Sequence, residues 1–145
     1  MDVKKSEELL AEIYRNCQLA LESISDILPA VEHEDLKAEI LREHEEYEKI
    51  SAEAAMLAKN KGLDVKSPNA MKKMMMWSSI KMNTMIDNSR AHIAEMMIQG
   101  TVMGITALKT SIGESPEIDD EEITALAKKL VETEEEFEKK LKEFL

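Results

Sequence analysis

The chain has little glycine, proline or aromatic side chain: 4 Gly, 3 Pro, 2 Phe, 2 Tyr and 1 Trp in 145 residues. Runs of β-branched residues are missing too, which argues against sheet, since strands draw on Val, Ile, Thr and aromatic side chains. One cysteine, Cys17, excludes an internal disulfide and fits a small core residue in a reducing compartment. No uninterrupted apolar stretch approaches the roughly 18 residues of a transmembrane span. No signal-peptide pattern precedes the first charged helix. These absences lead us to expect a single domain over residues 1–145, in the cytoplasm. Basic charge is also short, with 19 Lys and Arg against 30 Asp and Glu, a net charge of −11. Such a surface repels phosphate backbones and anionic membranes, so neither nucleic acid nor membrane is an expected partner. Gly-rich phosphate loops and nucleophile signatures do not occur.

What is present is Leu, Ile, Ala and 11 Met at helical spacing. Leu10, Ile13, Cys17, Ala20, Ile24, Ile27 and Val31 alternate in steps of three and four, which makes one apolar stripe. A first helix is therefore expected from about Ser6 to Ala30, ended or loosened by Pro29. Leu36, Ile40, Tyr47, Ile50, Ala54 and Leu57 define a second, from about Glu34 to Lys61, with Gly62 placed to stop it. Ser67-Pro68-Asn69 marks a loop. From Ala70 to about Ser111 a helical pattern continues without proline. As one helix it would be roughly 60 Å long, against roughly 40 Å for the first. That mismatch suggests a kink or break at Asn83-Thr84 or Asp87-Asn88-Ser89. Ile112-Gly113-Glu114 reads as a turn and Ser115-Pro116-Glu117 as the next helix start. Ile123, Leu126, Leu130, Phe137, Leu141 and Phe144 face inward on the last helix. The expected fold is all-α: an antiparallel four-helix bundle with a long or broken third segment.

Particular segments carry a resemblance. Asp35-Leu36-Lys37 opens the second helix, and Arg42-Glu43-His44-Glu45-Glu46 forms its charged middle. Trp77-Ser78-Ser79-Ile80-Lys81 follows the loop, and two further helices complete the chain. In this pattern the chain resembles the ferritin-like superfamily, and within it a bacterial ferritin-like family of unknown function. The resemblance implies a ferritin-like bundle with a break after the Trp segment, and implies no activity. The chain departs from that family in being far richer in Met between Met71 and Met103.

A di-iron site in such a bundle uses two Glu and two Glu-x-x-His pairs, the three-residue step placing both ligands on one face. No Glu-x-x-His occurs here: Ala30, Leu41 and Ser89 stand three residues before His33, His44 and His92. Glu43 nevertheless occupies a core position between Ile40 and Tyr47. Asn88, His92, Glu95 and Gln99 form a polar stripe, and Glu134 sits among Leu130, Phe137 and Leu141. If the second and third helices face each other, Glu43, His44, His92 and Glu95 would form a site for one divalent metal (Fe, Mn or Zn). The other reading of these residues is a polar layer that fixes helix register. Met71-x-x-Met74 and Met82-x-x-Met85 have spacings suited to Cu(I), but Met also fills irregular gaps.

From Ile93 to Leu108 the chain is apolar almost all round, and Gly100 and Gly104 form a small-x-x-x-small step. A helix apolar on every side is central or shared between chains. This points to self-association, a homodimer first, through Met96, Met97, Gly100, Met103 and Gly104. The leading expectation is a non-enzymatic homo-oligomer with a binding or structural role. A metal-binding protein or oxidoreductase with a non-standard site remains the alternative.

Overall fold

The computed structural model describes residues 3–65, 87–114 and 120–145. The described residues form four α-helices and no strand. They are α1 (Val3–Ile27), α2 (Glu34–Lys61), α3 (Arg90–Glu114) and α4 (Glu121–Leu141). A 3-10 turn, Leu28–Ala30, closes α1, and a second, Lys142–Phe144, follows α4. No described helix is long and apolar enough to cross a membrane.

The apolar spacing explains the packing. All seven residues of the α1 stripe, from Leu10 to Val31, are buried. So are Leu36, Ile40, Tyr47, Ile50 and Ala54 on α2, and Ile123, Leu126, Leu130, Phe137 and Leu141 on α4. These faces form one core with Ile93, Ala94, Met97, Ile105 and Leu108 of α3. Each large aliphatic side chain removed from water contributes about 1.5–3 kcal/mol. α1 packs most extensively on α2 and α3 on α4, while α1 also meets α3 and α4, and α2 meets α4. α2 and α3 barely touch.

Polar pairs link the helices along their length. Glu7 accepts from the Asp64 backbone N–H at 2.8 Å, and Gln18 donates to Ser51 at 2.7 Å. Lys61 pairs with Glu122 at 3.1 Å and Lys129 with Glu53 at 2.9 Å. Lys109 pairs with Glu135 at 3.1 Å, and Arg90 with Asp35 at 3.0 Å while lying over the Phe144 ring.

The helix ends follow local chemistry. Pro29 lies in the 3-10 turn that ends α1, where the Val31 N–H bonds to the Leu28 carbonyl. Gly62 ends α2 at φ 66°, a left-handed conformation that a side chain would strain. α3 starts after Asp87-Asn88-Ser89: Asp87 accepts from the Ser89 N–H and Ser89 Oγ accepts from the His92 N–H. That stretch is therefore the helix start, while the Asn83-Thr84 alternative, the Trp77 segment and the methionines from Met71 to Met85 lie outside the described residues. The turn expected at Ile112-Gly113-Glu114 is helix instead. An isolated glycine costs a helix only about 1 kcal/mol, which neighbouring packing overrides. Ser115-Pro116-Glu117 lies outside the described residues. α4 begins at Glu121, where Asp120 accepts from the backbone N–H groups of Glu122 and Ile123.

Candidate functional site

Polar residues from all four helices enter the core. Asn16 comes from α1, Glu39, Glu43 and Tyr47 from α2, Thr101 from α3 and Glu134 from α4, and all six are buried. Glu134 reaches this position because it shares the inward register of Leu130, Phe137 and Leu141. Its carboxyl accepts from the Tyr47 hydroxyl at 2.8 Å and from Asn16 Nδ2 at 3.3 Å. The same Asn16 nitrogen lies 3.2 Å from the Gly104 carbonyl oxygen. Burial pushes Glu134 up to about 8, although the Tyr47 and Asn16 hydrogen bonds pull the other way. Tyr47 is raised well above the ordinary phenol range, first by burial and then by Glu134. The buried Cys17 thiol is raised by burial and by Glu134, which leaves it inert as a thiolate.

The second carboxyl is bound into a chain of charges. Glu39 accepts two hydrogen bonds from the Arg42 guanidinium, at 3.0 and 2.7 Å, and Arg42 lies 5.4 Å from the centre of the Phe137 ring. Glu39 and Glu43 are close enough to shift each other's titration in opposite directions. Burial, then the hydrogen bond and charge of Glu39, raise Glu43 to about 10. Burial alone would raise Glu39 too, but hydrogen bonds from Arg42 and Glu43 outweigh it and lower its pKa. The proton therefore resides on Glu43, and Glu39 stays ionised against Arg42. Glu43 is a carboxylic acid held neutral at pH 7, an environment-driven assignment of the kind that separates two neighbouring carboxyls.

Gly104 lets this layer close. A Cβ at this position would lie 2.8 Å from Glu134 Oε2 and 3.0 Å from Asn16 Nδ2. Gly104→Ala is expected to displace the Glu134 carboxyl from Tyr47 and Asn16 and to destabilise the fold by about 1–3 kcal/mol. Urea unfolding checks this, and an unchanged midpoint would mean that the layer yields freely at Gly104.

The four residues expected to bind metal are not brought together. Glu43 is in the core, whereas His44 is half-buried with Nδ1 3.1 Å from Glu48 on its own helix. Glu95 is exposed, and His92 is half-buried near the start of α3, its Nε2 enclosed without a partner among the described residues. The condition for the site was that α2 and α3 face each other, and they are the pair that barely touches. Among the described residues, no three His, Cys, Asp or Glu side chains form a group able to hold a metal ion. Of the five expected interface residues, Met96, Met97, Gly100 and Gly104 are buried within the chain and Met103 is exposed.

Sequence reasoning placed Glu43 and Glu134 in the core but missed Asn16, Glu39 and Thr101. Glu39 was detectable as the residue four before Glu43 on one helix. Asn16 and Thr101 carry no such signal. Compared with models of known protein families, with curated proteins and with solved structures, the chain matches none.

Proposed function

We propose that the chain is a non-enzymatic, ferritin-like bundle that acts by binding, first to a second copy of itself through the outer face of α3. The order of contacts supports the arrangement. From Glu53–Lys129 through Tyr47–Glu134 to Arg42–Phe137, positions fall along α2 as they rise along α4. Glu7–Asp64 and Gln18–Ser51 step the same way between α1 and α2. Arg90–Phe144 and Lys109–Glu135 do so between α3 and α4. An up-down-down-up order, with α2 and α3 on the diagonal, accounts for all of these.

The observation that carries the proposal is the outward stripe of α3. Gln99, Val102, Met103 and Thr106 are all exposed, at spacings i, i+3, i+4 and i+7. Val102 and Met103 are 40% and 41% accessible, and the stripe carries no charge. Two copies of net charge −11 repel each other. An uncharged, partly apolar face is where they approach at least cost. The buried carboxyls are then a layer that fixes register, each tied to partners of its own chain.

Light scattering on the purified, untagged protein from micromolar to millimolar concentration tests this. The expected result is a dimer that becomes monomeric when Val102 and Met103 are both changed to Glu, with the helical circular dichroism unchanged. A monomer at every concentration would overturn the proposal. It would direct attention to the open groove of about 450 Å³ between α2 and α4, lined by Met56, Leu57 and Leu126, as a surface for a partner helix.

A further inference from the structure

The outer face of α3 extends beyond its uncharged centre, and its two ends carry opposite charge. From Gln99, Val102 and Thr106 the face continues to Glu95 in one direction and to Lys109 in the other, and all five residues are exposed. They follow one another in steps of four, three, four and three. That alternation keeps side chains in one narrow line along a helix and is the spacing of a coiled-coil seam. Met103 broadens the apolar centre beside Val102, both about two fifths exposed. The line therefore reads acid, amide, apolar, hydroxyl, base.

Such a line complements itself in one orientation only. Glu95 and Lys109 each stand seven residues from Val102, on opposite sides. At the rise of an α-helix that is about 10 Å along the axis in each direction. When a second α3 lies antiparallel, with the two copies of Val102 facing, Glu95 of each copy comes opposite Lys109 of the other. Gln99 then comes beside Thr106 of the other copy, an amide against a hydroxyl. In the parallel orientation Glu95 faces Glu95 and Lys109 faces Lys109, so both ends repel. Antiparallel packing also sets the positive end of one helix beside the negative end of the other.

Resting on the reading of α3 as the self-association face, we infer that the dimer is antiparallel along α3, with its two-fold axis at Val102 and with Glu95 and Lys109 of the two copies paired at both ends. The pairing selects a second copy of this chain as occupant, because the face repeats its own charges in reverse order. Charge complementarity of this kind fixes orientation more than it adds affinity. Lys109 already pairs with Glu135 of its own chain at 3.1 Å, but with side chains 58% and 47% exposed that pair contributes little. In the dimer Lys109 stands between two carboxylates, Glu135 of its own chain and Glu95 of the second copy.

Two measurements on the full chain test the orientation. In the first, Gln99→Cys and Thr106→Cys are made as separate variants, each keeping the buried Cys17, and are oxidised singly and as an equal mixture. The mixture should give a disulfide-linked dimer joining position 99 of one copy to position 106 of the other. Either variant alone should give little, since like positions stand roughly 9–12 Å apart along the axis, beyond disulfide reach. In the second, sedimentation equilibrium compares charge variants. Glu95→Lys should weaken the dimer about tenfold, although it makes each chain two charges less negative, and adding Lys109→Glu to it should restore the affinity. A dimer that links like positions, or one that Glu95→Lys leaves as tight or tighter, would overturn the antiparallel order and leave self-association through α3 standing. A chain monomeric at every concentration would overturn both.

Discussion

Phe137→Ala is expected to remove about 3–5 kcal/mol of stability, the largest loss from any single substitution discussed for this chain. Phe137 is 1% exposed and sits where the apolar core meets the polar layer. Its ring meets Tyr47 edge-on, with centroids 5.3 Å apart and planes at 61°. Arg42 caps it at 5.4 Å. Truncation would remove the transfer term of a whole ring and leave a cavity between two helices. The edge-to-face pair adds about 0.5–1.5 kcal/mol to what is lost. The neighbours cannot collapse into the space without cost, since Tyr47 is tied to Glu134 and Arg42 to Glu39. For a domain whose total stability is of order 5–15 kcal/mol, such a loss is a large fraction. Urea unfolding should show a much lower midpoint at an unchanged slope. Leu41→Ala is the matched control, because Leu41 is 47% exposed and should change stability by no more than about 0.5 kcal/mol. A Phe137 variant no weaker than the Leu41 variant would refute this account of the core.

The helices themselves were legible because period decides them. The stripe from Leu10 to Val31 needed only its three-and-four spacing, and every member is buried. Gly62 and the Asp87-Asn88-Ser89 stretch were legible because one end needs a left-handed residue and the other needs short side chains that accept backbone N–H bonds. Glu43 and Glu134 were legible as core residues for the same reason as their apolar neighbours: register along a helix is indifferent to side-chain chemistry. Periodicity relates a side chain to its own helix axis only, so it could not say which helix stands opposite. His92 and Glu95 share a helix with Thr101 and Gly104, yet only the latter pair is near the polar layer. Gly104 illustrates the same limit. Its small size signals a close approach, and the groups that approach are Asn16 and Glu134 of the same chain. Asn16 stands one residue before Cys17 of the stripe, where a polar residue ordinarily faces solvent. Only the neighbouring Gly104 carbonyl and Glu134 carboxyl make it a core residue.

Stability should fall as pH rises from about 5 to 9, a consequence of the two buried acids. Glu134 is raised to about 8 and Glu43 to about 10 in the folded chain, from an ordinary 4.5. Between 4.5 and those values the unfolded chain has released these protons and the folded chain still holds them. The folded state then binds more protons, so deprotonation favours unfolding. The slope for each fully buried group is at most about 1.4 kcal/mol per pH unit. Glu134 contributes this up to about 8 and Glu43 up to about 10. Tyr47 and Cys17, both raised, extend the decline further into alkali. On the acid side the sign reverses. Glu39 and Asp120 are lowered despite burial, Glu39 by Arg42 and Glu43 and Asp120 by Lys61 and its backbone N–H bonds. They stabilise the fold above their ordinary values and lose that contribution as pH falls through their folded values. The maximum should therefore lie at mildly acidic pH, near about 5. Urea unfolding at intervals from pH 4 to pH 9 would trace the curve, with Glu134→Gln as the diagnostic variant. Gln keeps an oxygen to accept from Tyr47 but cannot ionise, so it should roughly halve the slope below pH 8, leaving the share of Glu43, and leave the acid limb in place. A wild-type curve that is level or rising between pH 5 and 8 would mean that Glu134, like Glu43, is ionised inside the fold. Its hydrogen bonds from Tyr47 and Asn16 would then outweigh its desolvation, and the layer would carry a buried negative charge.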